Sequence, residues 1–325
     1  MRLKSTDASY NKQVSLDRGM SRACCLTGGG MGNERIAILL NCEGMGDCLF
    51  AIPVLKKIQT LKKEAVFDIF THHPGLFANC PYVENAYPIR LVDELPGETK
   101  LLNLFKLSEL PHWGMDTFNF ISVPIGLGEL SFREKQLEYF AVEPDRADAF
   151  DVVLNTSRTW PSRSWSLDNW QRLADVLIGQ GFTVAVVGKD IVSHADEMEK
   201  RSFALAGCHD LVNKLSLDQT YYTIRKAGLF VSCQNGLSVL SGATDTELVI
   251  LDMSIEWSKR AIYREANPFH KITYVKGECL QYCGSGGACP RSAETFTCVP
   301  TFERVAGIVN ERMRARSRAN KIRGQ

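Results

Sequence analysis

The chain has no long apolar run. Its longest uncharged stretch, 227–244, is interrupted by Ser232, Gln234, Asn235, Ser238 and Ser241, which excludes a membrane span. The first twenty residues have no apolar centre of the kind a secretory signal needs, so a cytoplasmic protein with reduced thiols is expected. Cysteine is sparse as well, because 11 residues in 325 do not staple a chain of this length. Neither charge dominates, with 38 Lys and Arg against 37 Asp and Glu. The charge is unevenly spread: residues 311–325 carry a net +5 and residues 1–34 a net +2, leaving 35–310 at −6. An acidic body argues against a broad nucleic-acid-binding face. No repeat of solenoid period is present. What remains is an ordinary globular composition, 45% hydrophobic and 23% charged, long enough for two domains of roughly 100–200 residues.

Residues 1–33 are polar and aperiodic and read as a flexible leader. Structure is expected from Arg35, where 35–41 (RIAILLN) is nearly continuous apolar sequence, as in a buried parallel strand. A glycine-bearing turn, a helix over 48–61 and a strand over 66–71 then give βαβ order and a largely parallel sheet. Prolines at 74, 81, 88, 96, 111 and 124 divide the next region, where a strand over 86–91 and helices over 100–107 and 132–140 are expected. The polar stretch 142–151 marks a domain boundary. Beyond it the alternation resumes. Strands are expected over 151–156, 182–187, 229–233, 248–252 and 271–275. Helices are expected over 167–181, 194–206 and 217–227, from about 237, and over 301–316. Two successive α/β units suggest a ligand between them, at the carboxyl ends of the strands.

Three strand-to-helix turns carry chemistry. Gly44-Met45-Gly46-Asp47 follows the first strand. Its glycines let backbone approach a ligand, and Asp47 is either a helix N-cap or a general base at the mouth of the cleft. Asn155-Thr156-Ser157-Arg158, with Arg163-Ser164-Trp165 beyond it, offers hydroxyls and a guanidinium fork suited to phosphate, or else forms a solvated loop anchored by its Trp. Cys233-Gln234-Asn235-Gly236-Leu237-Ser238 either presents backbone N–H groups to an anion or is a plain Asn-Gly turn. A fourth grouping, Cys279-x₃-Cys283-x₅-Cys289-x₈-Cys298, has enough thiols for one tetrahedral zinc or iron, or is a set of free thiols. His72, His73 and His112 read as structural loop residues.

Taken together, the three turns resemble glycosyltransferase family 9, the heptosyltransferase-like enzymes. Gly46-Asp47 with Pro53 resembles that family's G-D-x₅-P segment. Asn155-Thr156-Ser157 and Arg163-Ser164-Trp165, leading into Asn169-Trp170, resemble its G-A-S … K-R-W-P block. Gln234 to Ser241 stands where the family has D-T-G-P-M-H-L-A. Three positions depart: Arg163 replaces the Lys, Gln234 the Asp and Val239 the His.

The resemblance implies an α/β GT-B fold, two Rossmann-like domains with mainly parallel sheets facing a central cleft. Residues 34–147 would hold the acceptor, and 148–310, with the Cys-rich loop 279–298, the nucleotide-diphosphate sugar. It implies an inverting transfer with no catalytic cofactor. Asp47 would be the base, Thr156, Ser157, Arg163, Trp165, Gln234, Asn235, Gly236 and Leu237 the donor site, and Gly44 and Gly46 the acceptor loop. The acceptor would be a glycan or glycolipid of the bacterial surface, as in lipopolysaccharide synthesis. Members often carry cysteines near the Cys279 cluster, which would then be structural. The departures at 234 and 239 point to a donor other than ADP-heptose. Transfer to protein or to modified phage DNA, sugar-nucleotide epimerisation, and sugar-nucleotide binding without catalysis stay open as alternatives. The tail 311–325 is either a solvated end or a peripheral contact to an anionic inner-membrane face.

Overall fold

A computed structural model describes residues 34–104, 115–145, 148–157, 161–192, 199–200, 202–279, 289 and 296–323. The 1–33 leader, Arg158, His112, Cys283 and most of the Cys-rich loop lie outside them. Two parallel sheets organise the chain. The first has the order β3-β2-β1-β4, from Asn85–Pro88 (β3), Val66–Thr71 (β2), Arg35–Leu40 (β1) and Lys100–Asn103 (β4). Five of the six β1 residues are buried, as an apolar run covered on both faces requires. Helix α1, Met45–Leu61, crosses from β1 to β2, and a short α2, Thr117–Ser122, follows β4.

The second sheet begins with Val152–Asn155 (β5) and Val184–Val187 (β6), joined by α3, Leu167–Gly179. Ser166 caps α3 by accepting the Asn169 N–H, and Gly181, at φ +85°, lies just past its end where a side chain would be strained. Ile191–Val192 (β7) and Glu199–Lys200 (β8) form a small antiparallel pair apart from the sheet. His209–Asp210 (β9), α4 at Leu217–Lys226, Leu229–Cys233 (β10), α5 at Gly236–Ser241, Glu247–Asp252 (β11) and Ile272–Lys276 (β12) complete the order β12-β11-β10-β5-β6-β9. The last helix, α6, is Phe302–Arg323.

Four expectations are corrected. The 100–107 helix gives way to strand β4, because Lys100–Asn103 fills the free edge of β1 in parallel register from Ile36 to Leu39. The expected 86–91 strand stops at Pro88 and continues as a 3-10 turn, Ile89–Glu94. Residues 132–140 are not helical. Neighbouring side chains there reach opposite ways: Glu138 accepts from Lys56 (2.5 Å) and Tyr82 (2.7 Å), whereas Tyr139 donates to Asp218 (2.5 Å). That alternation is strand-like, and Gln136 forms a single parallel bridge with Tyr263. The described part of 194–206 holds no helix, and 199–200 is the strand β8.

The carboxyl tail is also more ordered than expected, since α6 runs through Arg323. Arg312 Nη1 lies 3.4 Å from Glu247, and Arg316 donates to Gly228 O at 3.3 Å, so two of its cations face the second sheet. No helix among the described residues is long and apolar enough to cross a membrane.

A buried guanidinium fixes the end of α5. Arg264, 5% exposed, donates to the carbonyls of Ser241 (2.5 Å), Gly242 (3.3 Å) and Thr246 (2.6 Å), and burial lowers its pKa to about 10. A cation is at home there, where the last carbonyls of a helix lack partners. Arg264→Met would strand several buried acceptors. The expected loss is about 3 kcal/mol in urea unfolding monitored by circular dichroism.

Candidate active site

Both sheets change direction at a definite place. In the first, β1 leads to β2 on one side and has β4 on the other; in the second, β5 leads to β6 while β10 lies on its other side. Ligands of open α/β sheets bind at the carboxyl ends of such strands. The three turns singled out by sequence occupy these two points.

After β1, Gly44 takes the N-cap position in an extended conformation (φ −76°, ψ 113°), and α1 starts at Met45, three residues earlier than expected. Asp47 therefore stands in the first turn and is not the N-cap; no side chain caps this helix. Its carboxylate folds back over Gly44, where an added Cβ would collide with Oδ2. Arg260 Nη1 approaches Asp47 Oδ1 to 2.7 Å as an ion pair, with the two side chains 28% and 20% exposed. That oxygen accepts no aligned hydrogen bond, so charge proximity rather than directional bonding holds the pair.

Arg163 supplies a second cation. It ends a 3-10 turn, Pro161–Arg163, and burial, followed by repulsion from Arg260, lowers its pKa to about 10 against the opposing pull of Asp47. Two guanidinium groups thus act on one carboxylate, Arg260 as an ion pair and Arg163 electrostatically. Arg260 belongs to none of the sequence motifs. It sits in the turn Trp257–Arg260 beyond β11, and only the chain's return to the first half reveals it.

The polar residues after β5 are largely occupied with one another. Asn155 donates to Ser232 Oγ and to Asn235 Oδ1, both at 3.0 Å, which ties the end of β5 to the end of β10. The Thr156 hydroxyl donates to Phe203 O (2.7 Å) and accepts from Phe203 N (2.8 Å), and Ser157 Oγ lies 2.7 Å from Ser202 Oγ. Trp165 is in the core, donating to Pro300 O at 2.9 Å and packing edge-on against Trp170. Asn235 Oδ1 caps α5 by accepting the Leu237 and Ser238 N–H groups (3.0 and 3.2 Å), so of this turn's amides the cap leaves that of Gly236. Gln234, 4% exposed, donates to Asp252 at 2.9 Å. Gln234 Oε1 and Asn235 Nδ2 are buried with no hydrogen-bond partner among the described residues.

The two turns meet at their glycines. A Cβ on Gly46 would lie 3.4 Å from Gly236 Cα and 3.2 Å from Val239 Cγ2. Asp47, Arg163, Arg260 and the start of α5 are thereby gathered at one junction. His72 and His73 instead brace the loop behind it, the latter 2.7 Å from Glu43 O.

With this geometry in hand, comparison with known proteins is informative. The model of glycosyltransferase family 9 (heptosyltransferase) matches residues 124–251. That segment, less than half of the chain, is what resembles the family in sequence. The chain is an enzyme of the glycosyltransferase class. The matched segment holds β5, α5 and Gln234, and it stops short of Asp47, Arg260 and the Cys-rich loop. No curated protein matches the chain in sequence.

Solved structures match its fold. A family 9 glycosyltransferase from Veillonella parvula aligns with TM-score 0.66 at 10% identity, over 88% of this chain and 99% of that one. The iron-containing dodecameric glycosyltransferase TibC of enterotoxigenic E. coli aligns with TM-score 0.66 at 16% identity, over 87% and 76%. The E. coli ADP-heptose lipopolysaccharide heptosyltransferase II aligns with TM-score 0.57 at 14% identity, over 87% and 99%. The expected GT-B arrangement of the family 9 domain and its partner sheet agrees with these neighbours.

The departure at Gln234 is testable on stability. Gln234→Glu would set two carboxylates against each other in a buried place, and one would keep its proton. A carboxyl whose folded pKa lies above its unfolded value stabilises below the unfolded value and loses that contribution as pH rises. The variant should be close to wild type at pH 4 and fall behind it by about 2 kcal/mol at pH 8, read from urea midpoints at each pH.

Proposed function

We propose that the chain is an inverting glycosyltransferase that moves a sugar from a nucleoside diphosphate to an acceptor hydroxyl, with no metal taking part in the transfer. The observation that carries this reading is the junction itself. A carboxylate from one sheet's switch point pairs at 2.7 Å with the Arg260 guanidinium from the other half and attracts that of Arg163. In the reaction Asp47 takes the proton of the acceptor hydroxyl as that oxygen attacks the anomeric carbon. The bond to the diphosphate breaks on the opposite face, and the leaving group departs with the electron pair. Arg163 and the Gly236 amide meet the charge that develops there. The hydroxyls of Thr156 and Ser157 shape the donor loop through their bonds to 202–203.

We assign the acceptor to the side of β1–β4 and the donor to the side of β5–β12. Heptosyltransferase II is named for ADP-heptose and lipopolysaccharide, and a surface glycan or glycolipid acceptor is the reading adopted for this chain. Val239 packs towards Gly46 rather than standing free, so donor choice falls on Gln234 and Asp252, which favours a hexose or deoxysugar over heptose. A panel of ADP-, UDP-, GDP- and dTDP-sugars assayed for transfer tests this, and turnover of ADP-heptose well above all others would overturn the donor assignment. Asp47→Asn should lower turnover by about 10²–10⁴-fold while nucleoside diphosphate still binds. Turnover near wild type would remove Asp47 from the chemistry.

The cysteine loop is proposed as a structural metal site. Its two ends are already clasped: Cys279 N donates to Thr297 O at 3.0 Å, and Cys298 is buried against the second sheet's core. Thiolate ligands suit zinc or iron, and TibC is described as iron-containing. Among the described residues no three His, Cys, Asp or Glu side chains form a cluster, and Cys283 lies outside them. Elemental analysis of freshly purified protein should find about one zinc or iron per chain. Less than about a tenth of an equivalent, with every thiol titratable, would refute the site.

A further inference from the structure

We propose that Cys42 and Cys48 form an oxidation site: a hydroperoxide closes them to a disulfide whose ring contains Asp47, and a dithiol reductant reopens it, so that the thiol state of this turn governs transfer. The consequence for transfer rests on the reading of Asp47 given above, whereas the bond itself does not. Neither cysteine belongs to the Cys-rich loop, and the family match, which begins at 124, contains neither.

Three observations converge on it. The sulfurs already touch. Cys42 Sγ lies 3.3 Å from Cys48 Sγ, and Cys48 Sγ also lies 3.7 Å from both Cys42 O and Thr71 Oγ1. A disulfide at about 2.05 Å needs only about 1.2 Å of further approach. Next, the pair frames the base. Cys42 follows β1, Cys48 stands in the opening of α1, and the ring that the bond would close holds Glu43, Gly44, Met45, Gly46 and Asp47. That ring has little slack. Gly46 is packed against Gly236 and Val239, Gly44 lies under the Asp47 carboxylate, and His73 holds Glu43 O at 2.7 Å. Shortening the ring therefore shifts Asp47, the residue next to Cys48, and a displacement of about 1 Å at a reacting group can cost about 10²-fold in rate. Last, the two sulfurs differ in access. Cys48 is fully buried, whereas Cys42, 7% exposed, has the exposed Asn41 and Glu43 as chain neighbours. Cys42 is thus the thiol that meets a peroxide. Its sulfur takes one peroxide oxygen as the O–O bond breaks, and its proton ends on the other oxygen, which leaves as alcohol or water. The Cys48 sulfur then attacks that of Cys42: the S–S bond forms, the S–O bond breaks, and hydroxide departs with the Cys48 proton as water. Two thiols lose two electrons and the peroxide gains them. The contact with Cys48 and burial, with repulsion from Asp47, raise the Cys42 pKa. The resting pair is therefore a dithiol, and it answers to sustained peroxide.

The test uses the full chain, reduced with dithiothreitol and then treated with graded hydrogen peroxide. Alkylation and peptide mass analysis read the bond, hydrogen exchange of the 43–47 amides reads the ring, and transfer from the nucleotide sugar that the reduced protein uses reads the consequence. The peptides bearing Cys42 and Cys48 should lose two hydrogens, and the 43–47 amides should exchange more slowly. Turnover should fall about tenfold or more, in step with the fraction of disulfide, and return with dithiothreitol. Cys42→Ala and Cys48→Ala should match reduced wild type and keep their turnover at the lowest peroxide that converts the wild-type pair. Thermal melts confirm that they fold, and the serine variants replace any that does not. No disulfide between Cys42 and Cys48 while other thiols oxidise, or a disulfide that leaves turnover unchanged, would overturn the proposal. Equal inactivation of Cys42→Ala would overturn it too, because the loss would then come from other thiols. A reduced wild type that transfers no sugar from any donor would instead overturn the glycosyltransferase reading. The bond and the ring are then decided by mass and exchange, and amides that exchange alike in both states would overturn the closure, so the two failures are distinct.

Discussion

The close approach of α1 and α5 is the constraint on which the site depends. Their first turns touch where Gly46 faces Gly236, and a side chain at 46 would meet backbone at 3.4 Å. Without Cβ atoms between them, the two helix starts can bring the end of β1 and the end of β10 to one place. Arg264 holds the other end of α5 by its last carbonyls, and one buried apolar cluster runs through α1, α2 and α5, including Phe50, Phe118 and Leu240. The charged junction is therefore mounted on rigid parts, as a group that must meet a reacting atom requires.

The division of polar labour at the junction follows from hydrogen-bond accounting. Asn155, Thr156, Ser157 and the side-chain oxygen of Asn235 satisfy backbone and one another, because buried donors and acceptors left alone would cost free energy. They set the shape of the strand ends. The cations at the junction are the guanidiniums of Arg163 and Arg260. Cations act over distance and in partly dehydrated surroundings, so they suit a leaving group whose charge grows as the bond breaks. The carboxylate beside them offsets positive charge in the unliganded site.

Much of this was legible in the sequence, and the parts that were not share a cause. Buried parallel strands such as 35–40 and 229–233 announce themselves as apolar runs, and α3 by the glycine that follows its end, Gly181. The three glycine- and Asn-bearing turns were legible because a strand-to-helix turn at a switch point needs such residues. Segments that depend on a distant partner were not. Lys100–Asn103 has a helix-compatible composition and becomes a strand only because β1 has an open edge. Residues 136–142 bridge the two halves through alternating side chains, a pattern that is meaningless until both halves exist. Arg260 was invisible for the same reason. Nothing local in Trp257–Arg260 marks it, and its importance comes from Asp47, more than two hundred residues earlier in the chain.

The departures from the family's loop take on a different meaning in three dimensions. Read along the chain, Gln234 loses a carboxylate and Val239 loses an imidazole. In space, a carboxylate stands one strand away: Asp252, at the end of β11, accepts from Gln234 Nε2 and is almost fully buried. An acid at both places would put two negative charges within bonding distance, so Gln at 234 and Asp at 252 are mutually compatible where Asp at both is not. The pair still holds an acceptor oxygen in reserve, Gln234 Oε1, which has no partner among the described residues. Val239 is likewise shaped by its neighbour, because it fills the space beside Gly46 where the helices meet. One substitution thus moves a charge to the next strand and the other serves packing. The chemistry of the turn is better judged from what its residues touch than from the letters of the motif.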